Sequence, residues 1–236
     1  MPGFSVLDTL ALQGKVAAVQ PNWAEENLQV IRTLMERAGL YRRALAPVMT
    51  GTGLLAIFAA IGARWARLDS FASFLGLWVA VALVAAGLSL LTIRRQALTA
   101  REEFWTPPTR RVAISLVMPF SAAAAFTLPV AGLVIVQGGS GADAIARGLS
   151  ALWMGFYGCG LNAAGQFTSR GVRLLGWVFM AMGALQFFSL NASVVSRIGP
   201  IPLLDQPHML MGASFGGLHL LAGIYLYFTE KREPTP

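Results

Sequence analysis

Charge is scarce in this chain. Of its 236 residues only 12% are Asp, Glu, Lys or Arg while 56% are hydrophobic, whereas a water-soluble domain carries roughly a quarter charged residues. A soluble globule is thereby excluded and a polytopic membrane protein is expected. Cysteine is nearly missing too. Cys159 stands alone within an apolar run, so neither a disulfide framework nor a thiolate zinc site can be built, and the redox compartment stays open. Histidine is limited to His208 and His219. All eleven acidic residues fall outside the cores of the predicted spans, which leaves proton- or cation-coupled transport without an intramembrane carboxylate. Signatures of catalysis are missing as well: there is no HExxH, no GxSxG and no paired aspartate, and GASFGG at 212–217 lacks the lysine of a phosphate loop. The chain is expected not to be an enzyme. The formal net charge of +7 is spread in short clusters beside apolar runs, with no basic stripe interleaved with aromatics. That pattern excludes nucleic acid and suits a lipid bilayer as partner.

What is present is length and apolarity in repeated blocks. A bilayer core is crossed by about 20 predominantly apolar residues in helical form, which satisfies every backbone N–H and C=O internally. Six stretches qualify, at 44–63, 71–93, 112–136, 148–167, 174–193 and 208–228. Pro119 and Pro129 lie within the third, where each removes a backbone donor and a kink is expected. The expected fold is all-α: a six-helix transmembrane domain over 42–230, a cytoplasmic N-terminal segment over 1–41 and a short cytoplasmic tail over 231–236. Of the 18 Lys and Arg residues, only Arg64, Arg67, Arg147 and Arg197 would lie outside if the N-terminus is inside. By the positive-inside rule both termini are cytoplasmic. The first residues, MPGFSVLDTLALQGK, have no basic n-region and carry Asp8 within the apolar stretch, so they do not read as a cleaved signal peptide.

Two cytoplasmic pieces stand out. In 23–41 apolar residues recur at helical spacing, with Trp23, Leu28, Val30, Ile31, Leu34, Met35, Ala38 and Tyr41 on one broad face and Glu25, Gln29, Arg32 and Glu36 on the other. Asn22 and Glu25 resemble a capping box, and an amphipathic helix lying on the inner leaflet is expected. Residues 94–111 should continue the second helix past the membrane until Pro107 and Pro108 stop it, with Trp105 in the headgroup layer.

Three segments, EENLQVIRTLMERAGLYRRALAP (25–47), FWTPPTRRV (104–112) and FGGLHLLAGIYLYFTEKR (215–232), taken in order around six spans, resemble an uncharacterised family of bacterial six-helix membrane proteins. That resemblance covers nearly the whole chain. It implies an inner-membrane location, multi-pass, and supplies no activity and no catalytic residue.

The sixth span raises the sharpest question, because it holds both histidines. Steps of four, four, three and four residues connect His208, Gly212, Gly216, His219 and Gly223, which places them on one helical face. Gly212 and Gly216 form GxxxG, so this face is expected to pack on another helix or to hold a flat ligand. By helical rise His219 lies near mid-membrane, about 14 Å from the inner end, and about 16 Å from His208, too far for a shared metal ion. No metal site is expected. A neutral, paired imidazole is tolerable at that depth, and Thr52, Ser121, Asn162 and Gln186 are its candidate polar partners. No cofactor is needed; haem or chlorin is the weakest alternative, because a bis-histidine site would require partner histidines that the chain lacks.

The expected function is a non-enzymatic accessory or scaffolding component that acts through helix packing and contacts with another membrane protein or a second copy of itself. The alternative is a small transporter or channel for an uncharged or lipophilic substrate. RRALAPVM from Arg42 and RRVAISLVMP from Arg110 open odd-numbered spans alike, as in duplicated transporters. The positive-inside rule alone also places arginine there.

Overall fold

The computed structural model describes residue 28, residues 45–99, residue 101, residues 104–190 and residues 206–229. The chain divides into two units, Met1–Leu40 and Tyr41–Pro236. In the first only Leu28 is described, and it is exposed. The expected amphipathic helix over 23–41, the boundary at 41 and the tail over 231–236 therefore lie outside the described residues.

The second unit is helical, with no strand among the described residues. In chain order its helices are α1 (Leu45–Trp65), α2 (Phe71–Thr99), α3 (Pro107–Val136), α4 (Ala142–Gly165), α5 (Arg170–Ser189) and α6 (Pro207–Thr229). Five of them, α1, α2, α3, α5 and α6, are long and apolar enough to cross a membrane. The helix α4 is long enough at 24 residues but falls short in apolarity, since Gly, Ser, Tyr and Asn interrupt its apolar residues. It is also the most enclosed, with ten buried residues from Ala146 to Gly165, and it packs against α2, α3, α5 and the start of α6. A helix surrounded by other helices has little lipid-facing surface to make apolar.

Local sequence explains the boundaries. Ser70 Oγ accepts from Ser73 N at 3.1 Å at the start of α2, and Ser169 does the same for Val172 at the start of α5, each satisfying a donor the helix leaves open. Pro107 does not end the second helix as expected. Instead α2 stops at Thr99, and Pro107 opens α3 behind the N-cap Thr106; proline suits the first helical position, where its missing N–H would be unpaired anyway. Pro119 and Pro129 sit inside α3. At the end of α1, Arg67 is left-handed (φ 52°), with Leu68 N on Ala63 O at 3.0 Å and Arg67 N on Arg64 O at 3.2 Å. These two bonds form a Schellman turn with arginine at the position that glycine usually takes.

The core falls into three clusters. Ala56 and Ala60 of α1 meet Phe74, Trp78 and Val81 of α2, Ala146 of α4 and Met211 of α6. Met154 and Leu161 of α4 meet Val172 and Phe179 of α5. Ala46 and Met49 of α1 meet Leu226 of α6. Among the described residues the helix α3 contributes only Val134 to the buried apolar set and rests on α4 through Phe126 against Phe156 and a 2.9 Å bond from Trp153 Nε1 to Thr127 Oγ1.

Candidate functional site

The five-residue stripe of α6 meets four different helices. Its glycines back onto α1: Gly212 abuts Ala60, Gly223 abuts Thr50, and a Cβ on Gly216 would lie 2.9 Å from Ile57 Cγ1 and 3.1 Å from Gly53 O. On the α1 side, a Cβ at Gly53 would lie 2.6 Å from Leu220 N. Such distances require bare backbone on both helices. The two histidines leave the stripe at its edges, His208 toward α2 and His219 toward α4 and α5. A sector of roughly 100° is wide enough to touch more than one neighbour. One turn of π-helix, Gly212–Gly216, lies between the two histidines, a feature that often accompanies functional positions.

His219 is 1% exposed, and both of its ring nitrogens are engaged. Nδ1 is 2.9 Å from Phe215 O, and a carbonyl only accepts, so Nδ1 carries the proton. Nε2 then accepts from the Tyr157 hydroxyl at 2.7 Å. Around this pair Phe179 and Phe215 complete a ring cluster, with His219–Phe215 centroids 4.3 Å apart and Tyr157–Phe179 5.0 Å apart.

The expected partners of His219 are corrected. Asn162 Nδ2 donates to Arg173 O at 3.4 Å, Ser121 Oγ donates to Met118 O of its own helix at 3.0 Å, and the buried Gln186 donates through Nε2 to Ser150 Oγ. Thr52 is half-buried on α1. Equal depth in the membrane is necessary for a hydrogen bond but does not settle which neighbour a side chain faces. Tyr157 was the missed residue. Its signal was present: Tyr41, Tyr225 and Tyr227 lie near span ends, and Tyr157 alone sits deep within one.

His208 is 8% exposed. Its Nε2 is 2.9 Å from Leu68 O and therefore carries the proton, leaving Nδ1 as a lone pair that is buried without a partner. Phe74 meets the ring edge-on at 5.2 Å and Trp78 stacks beside it at 6.4 Å. Trp78 Nε1 and Gln186 Oε1 are likewise buried without partners.

These geometries do not fit a tetrapyrrole. Axial ligation by His219 would break its bond with Tyr157, and Phe74 and Trp78 crowd the ring of His208. Among the described residues no three of His, Cys, Asp and Glu are placed to hold a metal ion. A cavity of about 230 Å³ lies at the end of the bundle where α1 stops and α4 and α6 begin, with Arg64, Asp69, Asp143 and His208 in its wall.

A second close contact joins α4 to α5. Small residues recur every seven positions at Ala151, Gly158 and Gly165 of α4 and at Gly176 and Gly183 of α5. A Cβ on Gly158 would lie 2.6 Å from Gly176 O, and one on Gly183 would lie 2.7 Å from Ala151 O. The helices α4 and α5 thus touch backbone to backbone. No protein family model, no curated protein and no solved structure matches this chain.

Proposed function

We propose that this chain is a six-span inner-membrane protein, with α4 as an enclosed span alongside the five apolar ones and both termini cytoplasmic, that serves as a non-enzymatic scaffold or accessory subunit. The observation that carries the reading is the middle of the bundle. Tyr157, Phe179, Phe215 and His219 fill it with mutually packed rings, and the hydrogen-bonding capacity of His219 is spent internally. A transport path needs polar groups aimed into an open route along several spans. Here the buried Ser150, Gln186 and His219 bond to one another's helices or to their own.

The outward surface supports the same reading. Leu83 and Leu88 of α2 and Met118 and Leu128 of α3 are all at least half exposed, an apolar exterior available to lipid and to partner helices. The bacterial inner-membrane location rests on the resemblance of three segments, and the orientation on the asymmetry of Lys and Arg. Photo-crosslinking residues placed at 83, 88, 118 and 128 in cells test the proposal. A scaffold gives a protein adduct of one discrete mass from the positions of one helix and not from those of the other. Adducts to lipid alone at all four positions would reject it.

A further inference from the structure

The end of α2 and the start of α3 carry arginines that the packing of the bundle does not use. We propose that this end is a binding surface for an anionic phospholipid, with Arg94, Arg95, Arg101, Arg110 and Arg111 holding the phosphate and the apolar flanks of both helices holding the acyl chains. The proposal rests on the membrane-spanning reading of the chain and not on its scaffold role.

Three observations carry it. First, the charge is one-sided. Residues 94–111 hold five arginines against Glu102 and Glu103, and among the described residues this end has no carboxylate. At the opposite end Arg64 shares a cavity wall with Asp69 and Asp143. Second, the guanidiniums are unspent. All five residues are exposed, and among the described residues none of their side chains has a hydrogen bond or an ion pair. A planar fork with its donors free matches the oxygens of a phosphate in bidentate fashion. Third, the arginines stand where charge gives way to apolarity. α2 is apolar up to Ile93 and α3 from Val112 onward, so Arg94, Arg95, Arg110 and Arg111 directly border the two apolar runs. With those runs in hydrocarbon, the four arginines lie at the height of the headgroups.

The same border decides what kind of partner fits. Within about one turn of the arginines, Leu90 and Leu91 of α2 and Ile114 and Val117 of α3 are all at least half exposed. α3 packs on α4 rather than on α2, so these flanks are not closed against each other. A ligand on this surface meets cations at one end and hydrocarbon along the rest, which describes an acidic lipid better than a nucleic acid or an acidic protein. A juxtamembrane cluster of basic residues attracts such lipids.

The test uses the full chain in neutral detergent and native mass spectrometry, with phosphatidylglycerol or phosphatidylcholine of identical acyl chains titrated in. Phosphatidylglycerol should bind about tenfold more tightly. Arg94→Gln with Arg95→Gln, or Arg110→Gln with Arg111→Gln, should lower that advantage by about threefold or more, and all four together should remove it. Arg67→Gln, exposed at the other end, should leave it unchanged. Arg101→Gly separates binding from folding. Arg101 has left-handed backbone (φ 54°), which glycine adopts freely and other residues do not. Its unfolding midpoint without lipid should therefore hold or rise while phosphatidylglycerol binding weakens. Glycerol phosphate at the concentration of the lipid should not displace it, because it has no acyl chains. Equal binding of the two lipids, arginine variants that keep the preference, or an equal loss in Arg67→Gln would each overturn the proposal. Displacement by glycerol phosphate, the mark of a soluble-phosphate site, or by a short acidic peptide, the mark of a protein partner, would overturn it too. A chain that failed to enter nanodiscs of phosphatidylcholine alone would reject the membrane-spanning reading and this surface with it.

Discussion

Tyr157 and His219 form a link whose value can be read by subtraction. Tyr157→Phe keeps the ring contacts with Phe120, Phe179 and Phe215 and deletes only the hydroxyl, leaving Nε2 of His219 buried without its donor. A loss of about 1–2 kcal/mol is expected, seen as a lower unfolding midpoint in detergent. His219→Phe strands the hydroxyl in the same way. In the double variant the penalties should overlap by about 0.6–1.7 kcal/mol, and strictly additive penalties would mean that the bond contributes nothing. Gln186→Met is expected to differ, because the wild-type amide already leaves Oε1 unpartnered and Ser150 Oγ keeps its 2.8 Å bond to Arg147 O. Its stability should fall within about 1 kcal/mol of the parent, since the substitution removes the buried unpaired oxygen together with the donated bonds and strands no donor.

At the scale of the element, the glycines of α4 separate contact from propensity. Gly155 and Gly158 lie three residues apart in one helix, yet a Cβ on Gly155 meets nothing within 4 Å while one on Gly158 meets the Gly176 carbonyl at 2.6 Å. Gly155→Ala should be neutral or stabilise by up to about 1 kcal/mol through reduced backbone entropy. Gly158→Ala has to part α4 from α5 and should cost about 1–3 kcal/mol. The pair is scored by fraction folded in a denaturing-detergent titration; equal behaviour of the two would deny the backbone contact. The same logic explains how much of the helices was legible. Apolar runs located all six helices, because lipid demands apolarity of any helix it touches. The run at 148–167 located α4 too, although that helix falls short of the other five as an apolar span, since its neighbours relieve it of that demand. The start of α3 was misread because proline, taken alone, is compatible with ending one helix or opening the next.

For the whole molecule, orientation is the property that elementary electrostatics predicts most directly. In a Cys159→Ser background, Ala66→Cys between α1 and α2 and Ser140→Cys between α3 and α4 sit at exposed positions at one end of the bundle, and Trp105→Cys is exposed at the other. An impermeant maleimide applied to intact cells should label the first two and spare the third. Labelling of Trp105→Cys alone would invert the topology. Composition and periodicity determined by themselves that the chain is helical and apolar enough to be membrane-embedded, because those demands come from the solvent and act on each segment separately. They also singled out the glycines of α6 as places where something comes close. Only the tertiary structure decided what each residue meets: Tyr157 for His219, Leu68 for His208, α1 for the glycines, and the shared cavity that gathers Arg64, Asp69, Asp143 and His208 from separate elements. Partner choice depends on the rotation and neighbour order of the helices, and a pattern read along one helix carries no information about the side chains that another helix brings to the same depth.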